Sequence, residues 1–86
     1  MKTKAERREL VRLQAELLCT DGFNTLTFPQ IRRIGEVLTG FVQRGIKVES
    51  ILIHNGCTFI ESLDPVCKAQ VFEIVDPQGR HSHVGV

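Results

Sequence analysis

The chain has 86 residues, of which 42% are hydrophobic, and its 11 Lys and Arg residues nearly balance its 10 Asp and Glu residues. A chain of this length has room for one hydrophobic core, so we predict a single domain over residues 1–86. The apolar content excludes an intrinsically disordered chain, and the near-neutral charge is unlike the strongly basic balance of dedicated nucleic-acid-binding domains.

The sequence lacks the pattern of an exported or membrane-spanning protein. The basic N-terminal residues are followed by charged residues such as Glu9 and Arg12, where a signal peptide has an unbroken apolar run. No stretch of 18 apolar residues is present. Cys19, Cys57 and Cys67 form an odd set without CxxC spacing, which predicts free thiols buried as small hydrophobic groups. We therefore expect a soluble, cytoplasmic protein.

The first amphipathic pattern covers residues 4 to 19. Leu10, Leu13 and Leu17 recur at intervals of three and four residues, the spacing of one helix face, while the opposite face is charged. Gly22 follows this pattern, and glycine readily adopts the left-handed backbone found after helix ends. The pattern predicts a helix with one buried stripe.

A second helix is predicted from Thr27 to about residue 44. Thr27 and Gln30 have the spacing of a capping box, and Gly45 can supply the C-terminal turn. Gly35 and Gly40 lie inside this helix, where glycine destabilises by up to about 1 kcal/mol relative to alanine. We expect close approach of the first helix or the sheet to compensate at both positions.

After Gly45 the hydrophobic period changes to two, which is typical of strands. The pair Asn55-Gly56 is a strong signal for a two-residue type I′ hairpin turn. The four predicted strands cover residues 48–54, 57–61, 67–75 and 80–86. Because the connections are short, the sequence predicts an α+β fold of order ααββββ, with both helices on one face of an antiparallel β-meander.

Both faces of the first predicted hairpin are apolar. Counting back from the turn gives the pairs His54–Cys57, Ile53–Thr58, Leu52–Phe59 and Ile51–Ile60, and neighbouring pairs face opposite sides. Two helices can cover only one side of a four-stranded sheet. Something else must therefore cover either Ile51, Ile53 and Ile60 or Leu52 and Phe59. Since a large apolar patch seldom stays bare on a monomer, we expect a second copy of the chain or another protein there, with curling of the sheet or the chain ends as the alternative.

The sequence contains no catalytic or cofactor-binding motif of the nucleotide-loop, hydrolase or metalloprotease type. Cys57 is predicted beside His54, but no third group is placed to orient a nucleophilic pair. His81 and His83 match no zinc-site spacing, and strand pairing would place them on the same face as Glu73. We therefore expect a protein without enzymatic activity, metal or cofactor.

By elimination, the sequence favours a small protein-binding or regulatory module of the inhibitor or adaptor kind, which acts through its sheet. The predicted contact residues are Ile51, Ile53, Thr58 and Ile60, with Arg80, His81 and His83 at a polar rim. The alternative is a nucleic-acid-associated protein that grips phosphates with basic residues of both helices. Those residues are Lys2, Lys4, Arg7, Arg8, Arg12, Arg32 and Arg33.

Overall fold

A computed structural model of the chain describes residues 3–85 as two α-helices, a short 3₁₀ helix and four β-strands. The elements are α1 (Lys4–Cys19), the 3₁₀ helix (Phe23–Thr25), α2 (Phe28–Arg44), β1 (Lys47–His54), β2 (Cys57–Leu63), β3 (Gln70–Val75) and β4 (His81–Gly85). The strands form one antiparallel sheet in the order β1-β2-β3-β4, and both helices pack against it. The predicted α+β class and the order ααββββ are confirmed.

Each α-helix begins with a capping box, in which two backbone N–H groups that the helix leaves unpaired find side-chain acceptors. In α1 the Glu6 N–H donates to Thr3 Oγ1 at 3.1 Å, and the Thr3 N–H donates to the Glu6 carboxylate at 3.4 Å. In α2, Thr27 and Gln30 make the same reciprocal pair, as the sequence predicted. Gly45 ends α2 with a φ of +73°. The cap at Thr3 was not predicted.

The two glycines inside α2 do not mediate close packing, so that prediction is wrong. A Cβ atom added to Gly35 would meet no described atom within 4 Å other than its chain neighbours and the backbone of its own helix. At Gly40 the nearest such atom is Nη2 of the exposed Arg44 side chain, at 3.7 Å. Neither residue needs a left-handed backbone, since both lie within the α-helix. Both positions therefore have room for a methyl group.

We expect Gly35→Ala to stabilise the protein by up to about 1 kcal/mol, because alanine restricts the unfolded chain and favours the helix without a clash. Urea-induced unfolding of the wild-type and variant chains measures this difference. A lower unfolding free energy for Gly35→Ala would mean that another part of the fold approaches this backbone closely.

The predicted first hairpin is confirmed in its turn and in its register. Asn55 and Gly56 have φ angles of +52° and +76°, the pair of positive values that a type I′ turn requires. The predicted pairs from His54–Cys57 back to Ile51–Ile60 are all present. Between Val48 and Ser50 the register shifts, so Glu49 forms a bulge on this edge strand.

The third strand is shorter than predicted, because the chain from residue 64 to 69 forms a turn. The Asp64 carboxylate accepts the N–H groups of Val66 at 2.8 Å and Cys67 at 3.3 Å, and these bonds, led by that of Val66, lower the pKa of Asp64. Lys68 takes a φ of +59°. Strand β3 therefore starts at Gln70 instead of residue 67, and β4 starts at 81 instead of 80, while Val86 lies outside the described residues.

The three cysteines are not core residues, so the prediction of their burial is wrong. Cys19 and Cys67 are exposed and Cys57 is half-buried, and all three thiols are free. Cys19 is the last residue of α1 and lies outside its buried stripe of Leu13 and Leu17. Cys67 lies in the turn that replaces the start of the predicted third strand.

The hydrophobic core lies between the helices and one face of the sheet, which we call the inner face; the opposite side is the outer face. The core residues are Leu13, Leu17, Ile34, Val37, Leu38, Phe41, Val42, Val48, Ile51, Ile60 and Val75. Every strand residue in this set belongs to the inner face. None of the described helices is long and apolar enough to cross a membrane.

A buried glutamine joins α2 to the turns at one end of the sheet. Gln30 is fully buried, and its Nε2 donates to the carbonyl oxygens of Gly56 at 2.8 Å and Val75 at 2.9 Å. The Thr27 hydroxyl donates to the carbonyl of Pro77, in the β3–β4 turn. This polar junction fixes the position of α2 over the inner face.

Candidate functional site

Most of the predicted contact surface lies in the core. Ile51 is 7% exposed, and Thr58 and Ile60 are fully buried. Ile53 is half-buried near Gly22 on the same inner face. The prediction that these residues form an interaction surface is wrong, because α1 and α2 pack on the inner face that they share.

The predicted polar rim is also on the helix side of the sheet. His81 and His83 pair with Val75 and Glu73 across β3, as the sequence predicted, and His81 Nε2 hydrogen-bonds the buried Glu73 carboxylate. Arg80 lies in the β3–β4 turn, where its Nε is 2.7 Å from Asp76 Oδ2. The backbone N–H of Arg80, followed by its side chain, lowers the pKa of Asp76. These residues do not surround the exposed apolar face.

The outer face carries a contiguous set of apolar side chains across all four strands. Leu52 pairs with Phe59 and Phe59 with Ile74, while Phe72 pairs with Val84 in the neighbouring row. Leu52 is 61% exposed and Val84 is 52% exposed, whereas Phe59, Phe72 and Ile74 are half-buried, and none of the five residues belongs to the core. We call Leu52, Phe59, Phe72, Ile74 and Val84 the outer cluster.

One carboxylate lies within the outer cluster. Glu61 is on the interior strand β2, paired with Ser50 on one side and Phe72 on the other. Its Oε1 accepts from the Ser50 hydroxyl at 3.1 Å, and its Oε2 accepts from Gln70 Nε2 at 3.2 Å. Both donors are neutral, so they orient the carboxylate without balancing its charge.

Leu52 and Phe59 belong to one of the two faces that the sequence left to be covered, but the predicted site was placed on the other face. The remaining members of the outer cluster and Glu61 were missed, although the sequence contains a signal for them. Phe59 shares a face with Leu52 in the predicted hairpin, and Phe72 and Ile74 are two residues apart on the next strand. Extending the pairing to β3 would have gathered these side chains on one face, since alternate residues of a strand share a side.

The basic residues of the nucleic-acid alternative are only partly available. Arg12 pairs with Glu9 and lies 2.7 Å from Glu16, and its hydrogen bond lowers the pKa of Glu9. Arg33 contacts Glu36 at 3.0 Å. Lys4, Arg7, Arg8 and Arg32 are exposed and form no ion pair with a described carboxylate, and Lys2 lies outside the described residues.

The exposed basic residues belong to two helices: Lys4, Arg7 and Arg8 to α1, and Arg32 to α2. Arg32 lines one groove with Gln14 of α1. Arg8 lies six residues before Gln14, or about 9 Å along the helix axis at 1.5 Å per residue. Glu16 pairs with Arg12 on α1 and Glu36 pairs with Arg33 on α2, so carboxylates are interspersed among the basic side chains of both helices. The nucleic-acid alternative stays a prediction.

The histidine and cysteine side chains do not assemble a metal site within the described part of the chain, where no group of three or more His, Cys, Asp or Glu residues could hold an ion. Cys57 does pair with His54, at the end of the first hairpin. No hydrogen bond to a third side chain orients His54 among residues 3–84. The pair therefore lacks the arrangement of a nucleophile, a base and an orienting group.

Comparison of the chain with models of protein families, with curated proteins and with solved structures gave no match.

Proposed function

We propose that this chain is a non-enzymatic protein-binding module that docks another polypeptide on the outer face of its sheet. The observation that carries this proposal is the outer cluster, whose members join four strands and lie apart from the core. Such a module needs a rigid folded surface and no catalytic group, which agrees with the side chains found on this face.

The size of the outer face supports this function. Four strands spaced about 4.8 Å apart, with about six residues each at a rise of about 3.4 Å, give a face of roughly 400 Å² in projection. The outer cluster occupies part of this area, beside polar residues such as Glu61, Gln70 and Ser82. The largest exposed apolar patch on a monomer often marks an interaction site. Phe59 and Phe72 add aromatic side chains, which are enriched at protein interfaces.

The rigidity of the face supports it as well. Phe59 and Phe72 lie on the interior strands β2 and β3, which are hydrogen-bonded on both sides. The helices hold the sheet from the inner face, and Gln30 ties α2 to the ends of β2 and β3. A surface held in this way loses little conformational entropy on binding.

Site-specific photo-crosslinking in cells that produce the chain tests this function. We expect a photoreactive amino acid at Leu52, and separately one at Val84, to crosslink the chain to the same partner. Matched controls place it at Val66 and Val11, which are 90% and 59% exposed but lie off the outer face. These controls are expected to give no such adduct.

The adduct mass distinguishes a second copy of this chain from a different protein. Equal crosslinking from all four positions, or none from Leu52 and Val84, would contradict the proposed function.

A further inference from the structure

We propose that two copies of this chain associate through the exposed side of α1, with the two helices packed antiparallel about a two-fold axis. This side of α1 faces away from the core and is separate from the outer face, so a dimer formed there leaves the proposed docking surface open.

Helix α1 has two sides with the spacing of helix packing, and the core uses only one of them. Leu13 and Leu17 are buried in the core. On the opposite side, positions 4, 8, 11, 15 and 18 follow the alternating intervals of four and three residues that align side chains along one line of a helix. All five residues are exposed, and we call Lys4, Arg8, Val11, Ala15 and Leu18 the α1 seam.

The C-terminal half of the α1 seam is apolar. Val11 is 59% exposed and Leu18 is 63% exposed, and the small Ala15 between them allows another helix to approach closely. Apolar side chains at this spacing are typical of contacts between helices. A phosphate surface would leave them without an apolar partner, so the seam favours a second helix.

The charges along α1 make it complementary to itself in the antiparallel orientation. Residues 4–8 include three basic side chains and one acidic side chain, whereas residues 16–21 include Glu16 and Asp21 and no basic side chain. An antiparallel pair sets the basic end of each helix beside the acidic end of the other. A parallel pair would set like charges beside each other. Complementary charges promote association and fix its orientation.

The spacing also specifies the register of the pair. When Val11 packs beside Ala15 of the second copy, Arg8 lies beside Leu18 of the second copy, because positions rise along one helix as they fall along the other. The aliphatic stem of an arginine can cover an apolar side chain while its guanidinium stays at the rim of the contact. All apolar residues of the seam are then covered.

The C-terminal end of α1 lacks a cation of its own. No basic residue lies in its last turn, so the partial negative charge of the helix end is not offset within the helix. Asp21 follows this turn, is exposed and forms no ion pair with another described residue. In the register given above, Lys4 and Arg7 of the second copy lie beside Asp21 and supply the missing cations.

The charges on the flanks of the seam are compatible with this arrangement. Arg12 lies on one flank and already pairs with two carboxylates of its own helix. Gln14 lies on the other flank near the two-fold axis, where its neutral amide meets its counterpart. Beyond Gln14, α2 presents charges of both signs, those of Arg32 and Glu36.

The length of the seam sets the expected strength of the dimer. Helix α1 has 16 residues and is therefore about 24 Å long at 1.5 Å per residue. A contact between two helices of this length belongs to the small class of interfaces. We therefore expect a reversible dimer that dissociates on dilution.

Sedimentation equilibrium of the full chain, from about 10 µM to about 1 mM and with a reductant present, tests this inference. We expect the wild type to shift from monomer to dimer over this range. Val11→Glu should weaken dimerisation at least tenfold, because it places a carboxylate in the apolar half of the seam. Val66→Glu is the matched control, since Val66 is 90% exposed but lies off α1, and it should leave dimerisation unchanged.

Exchanging charges tests the antiparallel orientation. Arg7→Glu and Asp21→Lys should each weaken dimerisation, because each brings like charges together at both ends of the pair. An equimolar mixture of these two variants should dimerise again, since each then offers the charge that the other lacks. Circular dichroism checks that both variants keep their helices.

The outcomes separate this dimer from binding at the outer face. Leu52→Asp should leave dimerisation unchanged, and a photoreactive amino acid at Val11 should trap α1 of a second copy instead of the partner of the outer face. A chain that stays monomeric over the whole range would overturn the inference. So would a dimer that Leu52→Asp abolishes and Val11→Glu preserves, or variants at Arg7 and Asp21 that dimerise like the wild type.

Discussion

Replacing Gln30 by leucine is expected to lower the free energy of unfolding by about 3 kcal/mol. The Gln30 amide donates to the carbonyls of Gly56 and Val75, and leucine has a similar size but no donor. Each buried acceptor left without a partner costs about 1–3 kcal/mol. The loss of the Thr27 N–H acceptor adds to this cost. Chemical denaturation followed by circular dichroism measures the difference.

Gln43→Leu is the matched control, because Gln43 lies on the same helix and is exposed. Its effect should stay within about 0.5 kcal/mol, as is usual for surface substitutions. Similar effects of the two substitutions would contradict the view that Gln30 fixes α2 to the sheet.

Gly79→Ala is expected to destabilise the protein by at least about 2 kcal/mol. Gly79 has a φ of +82°, a left-handed conformation that costs other residues about 1–2 kcal/mol. An added Cβ would also lie 2.8 Å from the carbonyl oxygen of Pro29. This oxygen belongs to the backbone of the first turn of α2 and cannot rotate away, so the turn or the helix must shift.

Gly56→Ala separates the cost of the left-handed backbone from the cost of the clash with Pro29 in the destabilisation expected for Gly79→Ala. Gly56 also has a positive φ, of +76°, but its added Cβ would meet only Pro77 Cγ, at 3.6 Å. This variant should therefore show the backbone strain without the clash. Thermal unfolding of both variants gives the comparison, and equal losses would show that Gly79 does not approach Pro29 closely.

The local elements could be predicted from the sequence because their signals lie within a few residues of each other. Local geometry alone specifies three of these features: the buried stripe of α1 at Leu13 and Leu17, the N-terminal cap of α2 at Thr27, and the hairpin turn at Asn55-Gly56. The hairpin register then follows from the turn by counting, and it is confirmed to Ile51–Ile60.

The choice between the two sheet faces could not be made from the same signals. Both residue sets of the first hairpin are apolar, so the pattern alone does not show which set meets the helices. On β3 and β4, the positions that share a face with Ile60 include Glu73, His81 and His83, which made that face look solvent-exposed. The hydrogen bond between His81 Nε2 and the Glu73 carboxylate allows Glu73 to be buried on this face.

The turn after the second strand was predicted over residues 62–65 but covers residues 64–69, and this difference has another cause. Strand propensity around Cys67 competes with the Asp64 side chain, which captures the N–H groups of Val66 and Cys67. Asp and Asn side chains commonly stabilise turns in this way, and the following Pro65 strengthens the signal. The strand interpretation gave too little weight to that local hydrogen bonding.

The helices bury the inner face and leave Leu52 and Val84 of the outer face exposed. The most direct test is the broadening of Ile, Leu and Val methyl resonances by a soluble paramagnetic chelate, with the isolated chain at low concentration. We expect strong broadening at Leu52 and Val84 and sharp signals at Ile51 and Ile60. Equal protection of all four residues, or the reverse pattern, would contradict the assignment of Ile51 and Ile60 to the buried face and of Leu52 and Val84 to the open face.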